Sequence, residues 1–121
     1  MIGIGADLVD VDRFRAVLAR RPGLVERIFT ESERADAGRR GDPCESLAAR
    51  FAAKEAVMKA LQVGLGCFAM QDVEVVRAPS GAPSLRLHGQ AAAVADQAGV
   101  AEWRLTLTHT SHVAQAIAVA L

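Results

Sequence analysis

Two carboxylates that lie far apart in the sequence are the first residues whose surroundings suggest chemistry. Asp7 follows two glycines in the opening segment IGIGADLVDV, and Glu55 lies within ARFAAKEAVMKAL. Side chains alternate along a strand, so Asp7 shares one face with both glycines and has nothing bulky beside it. That face leaves room for a ligand or a neighbouring helix. If the helix that carries Glu55 crosses it, the two carboxylates meet and favour a hard cation, above all Mg²⁺.

Each carboxylate also has a purely structural interpretation. Asp7 can cap the turn that follows its strand, and Glu55 can form an exposed i,i+4 pair with Lys59, worth about 0.3–0.5 kcal/mol. The lysines favour a more specific role, because Lys54 and Lys59 are the only two in the chain and the other twelve basic residues are arginine. This usage suggests that the helix needs a compact point charge.

A histidine at the end of a predicted strand is the third candidate. His109 closes the strand pattern WRLTLTH in step with its apolar residues, and the hydroxyl-bearing residues Thr108, Thr110 and Ser111 surround it. Such a group can hold a phosphate or a ribose through hydrogen bonds. A structural histidine with its hydrogen bonds satisfied is the alternative.

Arginines in the first predicted helix form the fourth candidate. Arg13 and Arg20 are seven residues apart and therefore lie on the same helix face. An unopposed basic face can orient an acidic helix of a partner protein and speed its association. A merely solvated face is the alternative.

Short elements of both kinds must position these residues. A strand is predicted over 2–11, and Asp12 is a candidate cap for the helix that Pro22-Gly23 ends. Thr30 and Glu33 have the spacing of a capping box for a second helix. Asp42 followed by Pro43 begins the longest helix, from about Cys44 to Leu61.

The second half of the chain reads mainly as β-structure. Hairpins are predicted from 72–77 with 84–88 and from 103–109 with 113–121, separated by an alanine-rich helix that ends at Gly99. The element order implies an α+β fold, a largely antiparallel sheet with helices packed on one side. With 121 residues, the chain is expected to form a single domain over 1–121.

Composition excludes several classes of protein. The formal net charge is zero, which disfavours nucleic-acid and membrane-surface binding. No segment has the ~20 apolar residues of a membrane span, and the opening segment lacks the basic residues of a signal peptide. Cys44 and Cys67 are expected to be buried reduced thiols, and we expect a cytoplasmic protein. The 24 alanines hint at an oligomer that buries apolar surface between copies.

The motifs taken together resemble the holo-acyl-carrier-protein synthase family, the small 4′-phosphopantetheinyl transferases. The resemblance covers nearly the whole chain. In chain order it is carried by IGIGADLVDVDRF, FTESE at 29–33, RFAAKEAVMKAL at 50–61, the turn Gly81-Ala82-Pro83 and the closing LTLTHTSHVAQAIAVAL. The central signature is highly specific.

The resemblance implies a 4′-phosphopantetheinyl transferase-like fold and a Mg²⁺-dependent enzyme. Its reaction would transfer 4′-phosphopantetheine from coenzyme A to a serine of apo-acyl carrier protein and release adenosine 3′,5′-bisphosphate. Homotrimers with sites at subunit interfaces, and a place in fatty acid biosynthesis and lipid metabolism, are further implications. Whether a fatty-acid or a polyketide carrier is preferred stays open.

The same resemblance implies roles for the candidate catalytic residues. Asp7 and Glu55 would hold Mg²⁺ against the pyrophosphate of coenzyme A. Lys59 would neutralise charge on the pyrophosphate or protonate the leaving group. The serine proton would pass to a water oriented by Glu55 and the metal, or to His109.

Binding roles are implied for further residues. Arg50, Lys54 and His109 would contact the nucleotide end of coenzyme A, including its 3′-phosphate, and Pro83 would line the adenine pocket. Gly64 lies in a loop that contacts phosphate in relatives, although Gln62 here replaces a common glycine. Position 110 is threonine where some relatives carry an acid.

Arg13 and Arg20 match arginines that hold the acidic helix of the carrier protein. Two other functions are kept as alternatives. One is a Mg²⁺-dependent nucleotide pyrophosphohydrolase that uses the same carboxylates with water as the nucleophile. The other is a non-catalytic module that only binds carrier proteins.

Overall fold

Five strands and five α-helices make up the protein, in a computed structural model that describes all residues 1–121. In chain order the elements are β1 (Gly3–Asp10), α1 (Val11–Arg20), α2 (Gly23–Ile28), α3 (Glu31–Gly38), α4 (Pro43–Ala60), a 3₁₀ turn (Met70–Asp72), β2 (Val73–Arg77), β3 (Pro83–Leu87), α5 (Gly89–Gln97), β4 (Trp103–His109) and β5 (Val113–Ala120). The predicted elements are all present. The six-residue α2 is additional, because the sequence at Pro22-Gly23 indicated only a helix end.

Helix starts follow the local capping chemistry, with one correction. The carboxylate of Asp10, not that of the predicted Asp12, caps α1 by accepting a hydrogen bond from the backbone N–H of Arg13 at 3.0 Å. The predicted capping box is confirmed, because Thr30 and Glu33 each bond the other's backbone N–H. Asp42 caps α4, as its position before a first-turn proline predicted.

All strand pairs are antiparallel. β5 lies between β1 and β4, and β2 pairs with β3 in a separate hairpin whose second strand lies beside β4. The α+β architecture, with antiparallel strands and helices packed against them, is therefore confirmed. The sheet differs from the expected one by consisting of two hydrogen-bonded parts.

Helix α4 packs against β1 with almost no space between the two backbones. A Cβ atom added to Gly5 would lie 1.9 Å from the carbonyl oxygen of Ala56, and one added to Gly3 would lie 2.0 Å from that of Ala60. Only glycine permits this approach. The two glycines beside Asp7 thus make room for a helix, and that helix carries Glu55.

Small side chains also fill the interior. Twelve of the 18 residues of α4 are buried, and the four alanines of β5 are fully buried beneath the helix. A helix that could cross a membrane is not found among these elements. Both cysteines are free, as expected, but the prediction that they are buried is wrong for Cys67, which is exposed, while Cys44 is partly buried.

Candidate active site

The first group of predicted site residues meets where α4 crosses β1. The ammonium of Lys59 donates hydrogen bonds to Oδ1 of Asp7 at 3.1 Å and to the carbonyl oxygen of Ala6 at 3.0 Å. Lys59 thus pairs across two elements with Asp7 and not along its own helix with Glu55. The Asp7 side chain is 17% exposed, so this ion pair lies at the edge of the interior.

Glu55 lies near enough to Asp7 for the two charges to interact. Burial raises the pKa of Glu55, the charge of Asp7 raises it further, and the charge of Lys59 opposes both effects. The two carboxylates therefore lie close enough for their charges to interact, and we call Asp7 and Glu55 the carboxylate pair. Neighbouring carboxylates that repel each other form a donor set that suits a hard divalent cation.

The donor set limits what kind of metal site this can be. No group of three or more His, Cys, Asp and Glu side chains has metal-binding geometry. Two carboxylates leave most positions around an octahedral cation to water and to a phosphate-bearing substrate, which is the common arrangement for Mg²⁺. The residues present therefore fit Mg²⁺ shared with a substrate and do not fit an all-protein cage.

An apolar cavity of about 600 Å³ opens beside the carboxylate pair between β1, α1, α2 and α4. Asp7, Glu55 and Arg13 lie along its polar edge, and its walls are mainly the hydrophobic residues Leu8, Val9, Phe14, Val17, Leu18, Leu24, Ile28, Phe51 and Val113. Neither Arg13 nor Arg20 forms an ion pair within the chain. Arg13 is thus unpaired at the edge of this apolar cavity, and Arg20, which does not line it, is unpaired as well.

The second group of predicted residues lines another cavity, of about 370 Å³. Arg50, Pro83 and His109 contribute to its wall, together with Arg40 and Arg77, which the sequence did not single out. Nδ1 of His109 lies 3.2 Å from Oε1 of Glu45. We refer to this space as the arginine-lined cavity.

Four arginines of this region surround the carboxylate of Asp36. Arg50 and the Nε of Arg77 donate to its Oδ2, Arg39 donates to its Oδ1, and Arg40 lies 3.6 Å away. Burial alone would raise the pKa of Asp36, but the charges and hydrogen bonds of the arginines lower it to about 2. Only the spacing of Asp36 to Arg39 and Arg40 in the sequence could have indicated this cluster.

Lys54, for which a nucleotide contact was expected, lies elsewhere and lines neither cavity. Its ammonium is fully buried, where it donates to Oε1 of Glu33 at 2.8 Å and to the carbonyl oxygens of Met70 and Val73. All three N–H donors are used inside the protein, so none can reach a nucleotide. Its pKa is lowered by burial despite the charge of Glu33, as expected for an ammonium in the core.

The two groups of residues lie on different sides of α4. Arg50 and Glu55 are five residues apart, which separates them by about 140° around the helix and about 7.5 Å along it. Gly64 lies in the exposed loop after α4 and lines neither cavity. A single chain therefore presents two separate half-sites, the carboxylate pair and the arginine-lined cavity.

Comparisons with known proteins agree along the full length of the chain. The family model described as "4′-phosphopantetheinyl transferase superfamily" matches residues 3–118. A protein of Frankia casuarinae named holo-[acyl-carrier-protein] synthase is 51% identical over 120 residues, which is 99% of this chain and 97% of that protein.

Solved structures give the same result. The crystal structure of holo-[acyl-carrier-protein] synthase from Neisseria meningitidis superposes with a TM-score of 0.91 at 26% identity, covering 100% of this chain and 98% of that one. The Helicobacter pylori holo-[acyl-carrier-protein] synthase in complex with coenzyme A superposes with a TM-score of 0.85 at 28% identity, covering 98% and 99%.

Proposed function

The chain belongs to the 4′-phosphopantetheinyl transferase superfamily, and we propose how its residues transfer 4′-phosphopantetheine from coenzyme A to a serine of apo-acyl carrier protein. Adenosine 3′,5′-bisphosphate is the second product. One structural observation carries the proposal: Asp7, Glu55 and Lys59 come together from two distant segments at the contact between β1 and α4. Such a charge arrangement suits a pyrophosphate with its metal ion.

We propose Mg²⁺ as the ion that Asp7 and Glu55 hold. When bound, it would act as a Lewis acid that offsets negative charge on the pyrophosphate. The donor set supports this assignment, because carboxylate oxygens are the protein ligands that Mg²⁺ prefers.

The chain's own residues would then position the reaction and handle its proton. The serine oxygen forms a bond to the β-phosphorus in line with the P–O bond that breaks, and adenosine 3′,5′-bisphosphate leaves. The ammonium of Lys59 neutralises charge on the pyrophosphate or protonates the leaving oxygen. The serine proton passes to a water oriented by the carboxylate of Glu55, which lies in the same half-site.

The arginine-lined cavity would take the nucleotide end of coenzyme A. Arg50 and His109 would contact its phosphate and ribose groups, and Pro83 would line the adenine pocket. Gly64 would contact phosphate from the loop after α4. The proposal is supported by the positive charge of this cavity, which suits a nucleotide carrying a 3′-phosphate.

The carrier protein would dock on α1. Arg13 and Arg20 are exposed and unpaired in the chain, so they are free to bind acidic side chains of a partner helix. The apolar cavity beside Arg13 would receive apolar side chains of that helix and bring its serine towards the carboxylate pair.

We further propose a homotrimer in which each site joins half-sites of two neighbouring chains. The separation of the two half-sites on α4 supports this. The face of the sheet away from α4 supports it as well, because Ile4 of β1 is 58% exposed there. Size-exclusion chromatography with light scattering tests the assembly, and a monomer at working concentration would contradict it.

A mass spectrum of apo-acyl carrier protein after incubation with the protein, coenzyme A and Mg²⁺ tests the function. The expected result is a carrier heavier by one phosphopantetheine group. Adenosine bisphosphate released equally fast without carrier would identify a nucleotide pyrophosphohydrolase instead. Carrier binding without any modification would identify a non-catalytic module.

We also propose a metabolic role and a cellular location for the reaction. The reaction supplies carrier proteins for fatty acid biosynthesis, within lipid metabolism. It takes place in the cytoplasm, where an exposed free thiol such as that of Cys67 stays reduced.

A further inference from the structure

We propose that Asp36 is a positioning residue for the nucleotide: it holds Arg50 and Arg77 at the wall of the arginine-lined cavity, where both guanidinium groups bind the 3′-phosphate. The inference rests on the proposed function, because it takes that function's nucleotide as the ligand of this cavity. Asp36 itself does not line the cavity. It acts on the ligand only through the two arginines.

One carboxylate oxygen joins three elements around the cavity. Oδ2 of Asp36 in α3 accepts hydrogen bonds from Arg50 in α4 and from the Nε of Arg77 in β2, the latter at 3.1 Å. Both arginines line the cavity. A guanidinium fixed by a carboxylate loses less conformational freedom when it binds phosphate, so the anchor favours binding.

Arg77 also links Asp36 to the turn between β2 and β3. Its Nη1 donates to the carbonyl oxygen of Gly81 at 2.9 Å, while its Nε is held by Asp36. Pro83 follows directly after that turn and forms part of the cavity wall. Asp36 thus fixes the position of a binding arginine, which in turn fixes the strand that carries Pro83.

Arg50 depends on Asp36 for its charge balance. Its side chain is 3% exposed, and Asp36 is its only ion-pair partner. Its Nη1 donates to the hydroxyl of Ser46, and its Nε has no hydrogen-bond partner. A buried guanidinium needs an anion close by, and Asp36 supplies one when no ligand is bound.

The charges around the cavity leave room for a phosphate. Arg40, Arg50 and Arg77 line it, and the single carboxylate of Asp36 is shared among four arginines. The two other acids at the cavity are engaged elsewhere, Asp42 with Arg15 at 2.7 Å and Glu45 with His109. The cavity therefore keeps an excess of positive charge.

The sign of the effect of removing Asp36 separates positioning from simple charge. Loss of a negative charge near a phosphate would by itself tighten phosphate binding. Loss of the anchor would weaken it, because Arg50 and Arg77 would no longer be held at the cavity wall. We expect the anchor to dominate.

Calorimetric titration of the intact protein with adenosine 3′,5′-bisphosphate and with adenosine 5′-monophosphate measures the preference for the 3′-phosphate. Asp36→Asn is expected to reduce that preference by about tenfold, the scale of one lost charge-assisted hydrogen bond. Asp42→Asn is the charge-matched control, because it removes one negative charge at the same cavity while its partner Arg15 lies outside it. The control should leave the preference unchanged or increase it.

Arg77→Ala keeps the test decisive if Asp36→Asn folds poorly. Arg77 is a partly exposed residue at the end of β2, and its loss should lower the same preference. An unchanged or increased preference in Asp36→Asn, or an unchanged preference in Arg77→Ala, would overturn the inference.

Steady-state kinetics supply a second readout. With coenzyme A, Asp36→Asn should raise KM and leave kcat nearly unchanged, and with coenzyme A lacking its 3′-phosphate KM should change little. Equal changes with both substrates would point to a general structural defect and overturn the inference. Binding of the free nucleotides does not require transfer, so the titrations test the role of Asp36 independently of the reaction. A failure of the proposed function would instead show as carrier that the unaltered protein leaves unmodified.

Discussion

The ammonium of Lys59 lies 3.1 Å from Oδ1 of Asp7, although the two residues are 52 positions apart in the chain. The contact joins the last turn of α4 to β1 at the carboxylate pair. It offsets part of the negative charge there, as the opposing effect of Lys59 on the pKa of Glu55 indicates.

Asp7→Asn and Glu55→Gln should each lower kcat/KM for transfer by about 10²-fold or more, because each removes one oxygen donor for the cation. The measurement is the rate of carrier modification across a Mg²⁺ titration. Asp96→Asn removes an exposed carboxylate from α5 and is the control, with an unaltered rate expected. Full activity in both site variants at low Mg²⁺ would contradict the assignment.

Glu55→Gln should also raise the thermal stability of the metal-free protein at neutral pH. The pKa of Glu55 is raised in the folded state, so protonated Glu55 favours folding at low pH and this contribution is lost as the pH rises through the folded-state pKa. Glutamine removes the cost of an ionised Glu55. Melting curves at pH 7 and pH 4 check this, and a gain of equal size at both pH values would argue against the mechanism.

Gly5→Ala should destabilise the protein by at least about 2 kcal/mol, because its Cβ would clash with a backbone carbonyl that cannot move without shifting α4. Gly23→Ala in α2 is the matched control. A Cβ there meets no atom within 4 Å, so a gain of up to about 1 kcal/mol is expected. Denaturant unfolding measures both changes, and equal effects would be inconsistent with close backbone packing.

Lys54→Met should destabilise the protein by about 3–5 kcal/mol, because it leaves the carboxylate of Glu33 buried without its cation. KM for coenzyme A, measured below the melting temperature, should stay unchanged. The double variant Lys54→Met/Glu33→Gln should recover part of the loss, because neither charge then remains. A large rise in KM for coenzyme A with normal stability would instead support the nucleotide contact that the sequence predicted for Lys54.

Charge reversal on α1 should separate docking from chemistry. Arg13→Glu and Arg20→Glu are expected to raise KM for the carrier protein about tenfold or more while leaving KM for coenzyme A nearly constant. Arg86→Glu, an equal charge change on β3, serves as the control. Parallel changes in both KM values would rule out a docking role for the two arginines.

The sequence allowed prediction of those features that local chemistry determines. The capping box of Thr30 and Glu33 and the first-turn Pro43 follow from neighbouring residues, and both are present. The meeting of Asp7 and Glu55 was also predictable, because two glycines on the face of a strand allow a helix to approach closely.

The features that escaped prediction depend on tertiary contacts. The alanines of α4 are spread around all its faces. Its sequence therefore shows no sharp apolar face and does not indicate that Lys54 points inward. Arg50 and Arg77 reach Asp36 from 14 and 41 residues away, where sequence spacing carries no information about contact. Helix α2 has only six residues, too few for a periodic pattern.

The close backbone contact between Gly5 and α4 sets the spacing of the carboxylate pair by steric exclusion, which salt does not screen. Arg13 and Arg20, which we propose dock the carrier protein, would act through exposed charges, which salt does screen. Rising ionic strength should therefore slow encounter with the carrier while the geometry at Asp7 and Glu55 stays the same. Salt should therefore affect association with the carrier protein and leave the arrangement of the carboxylate pair unchanged.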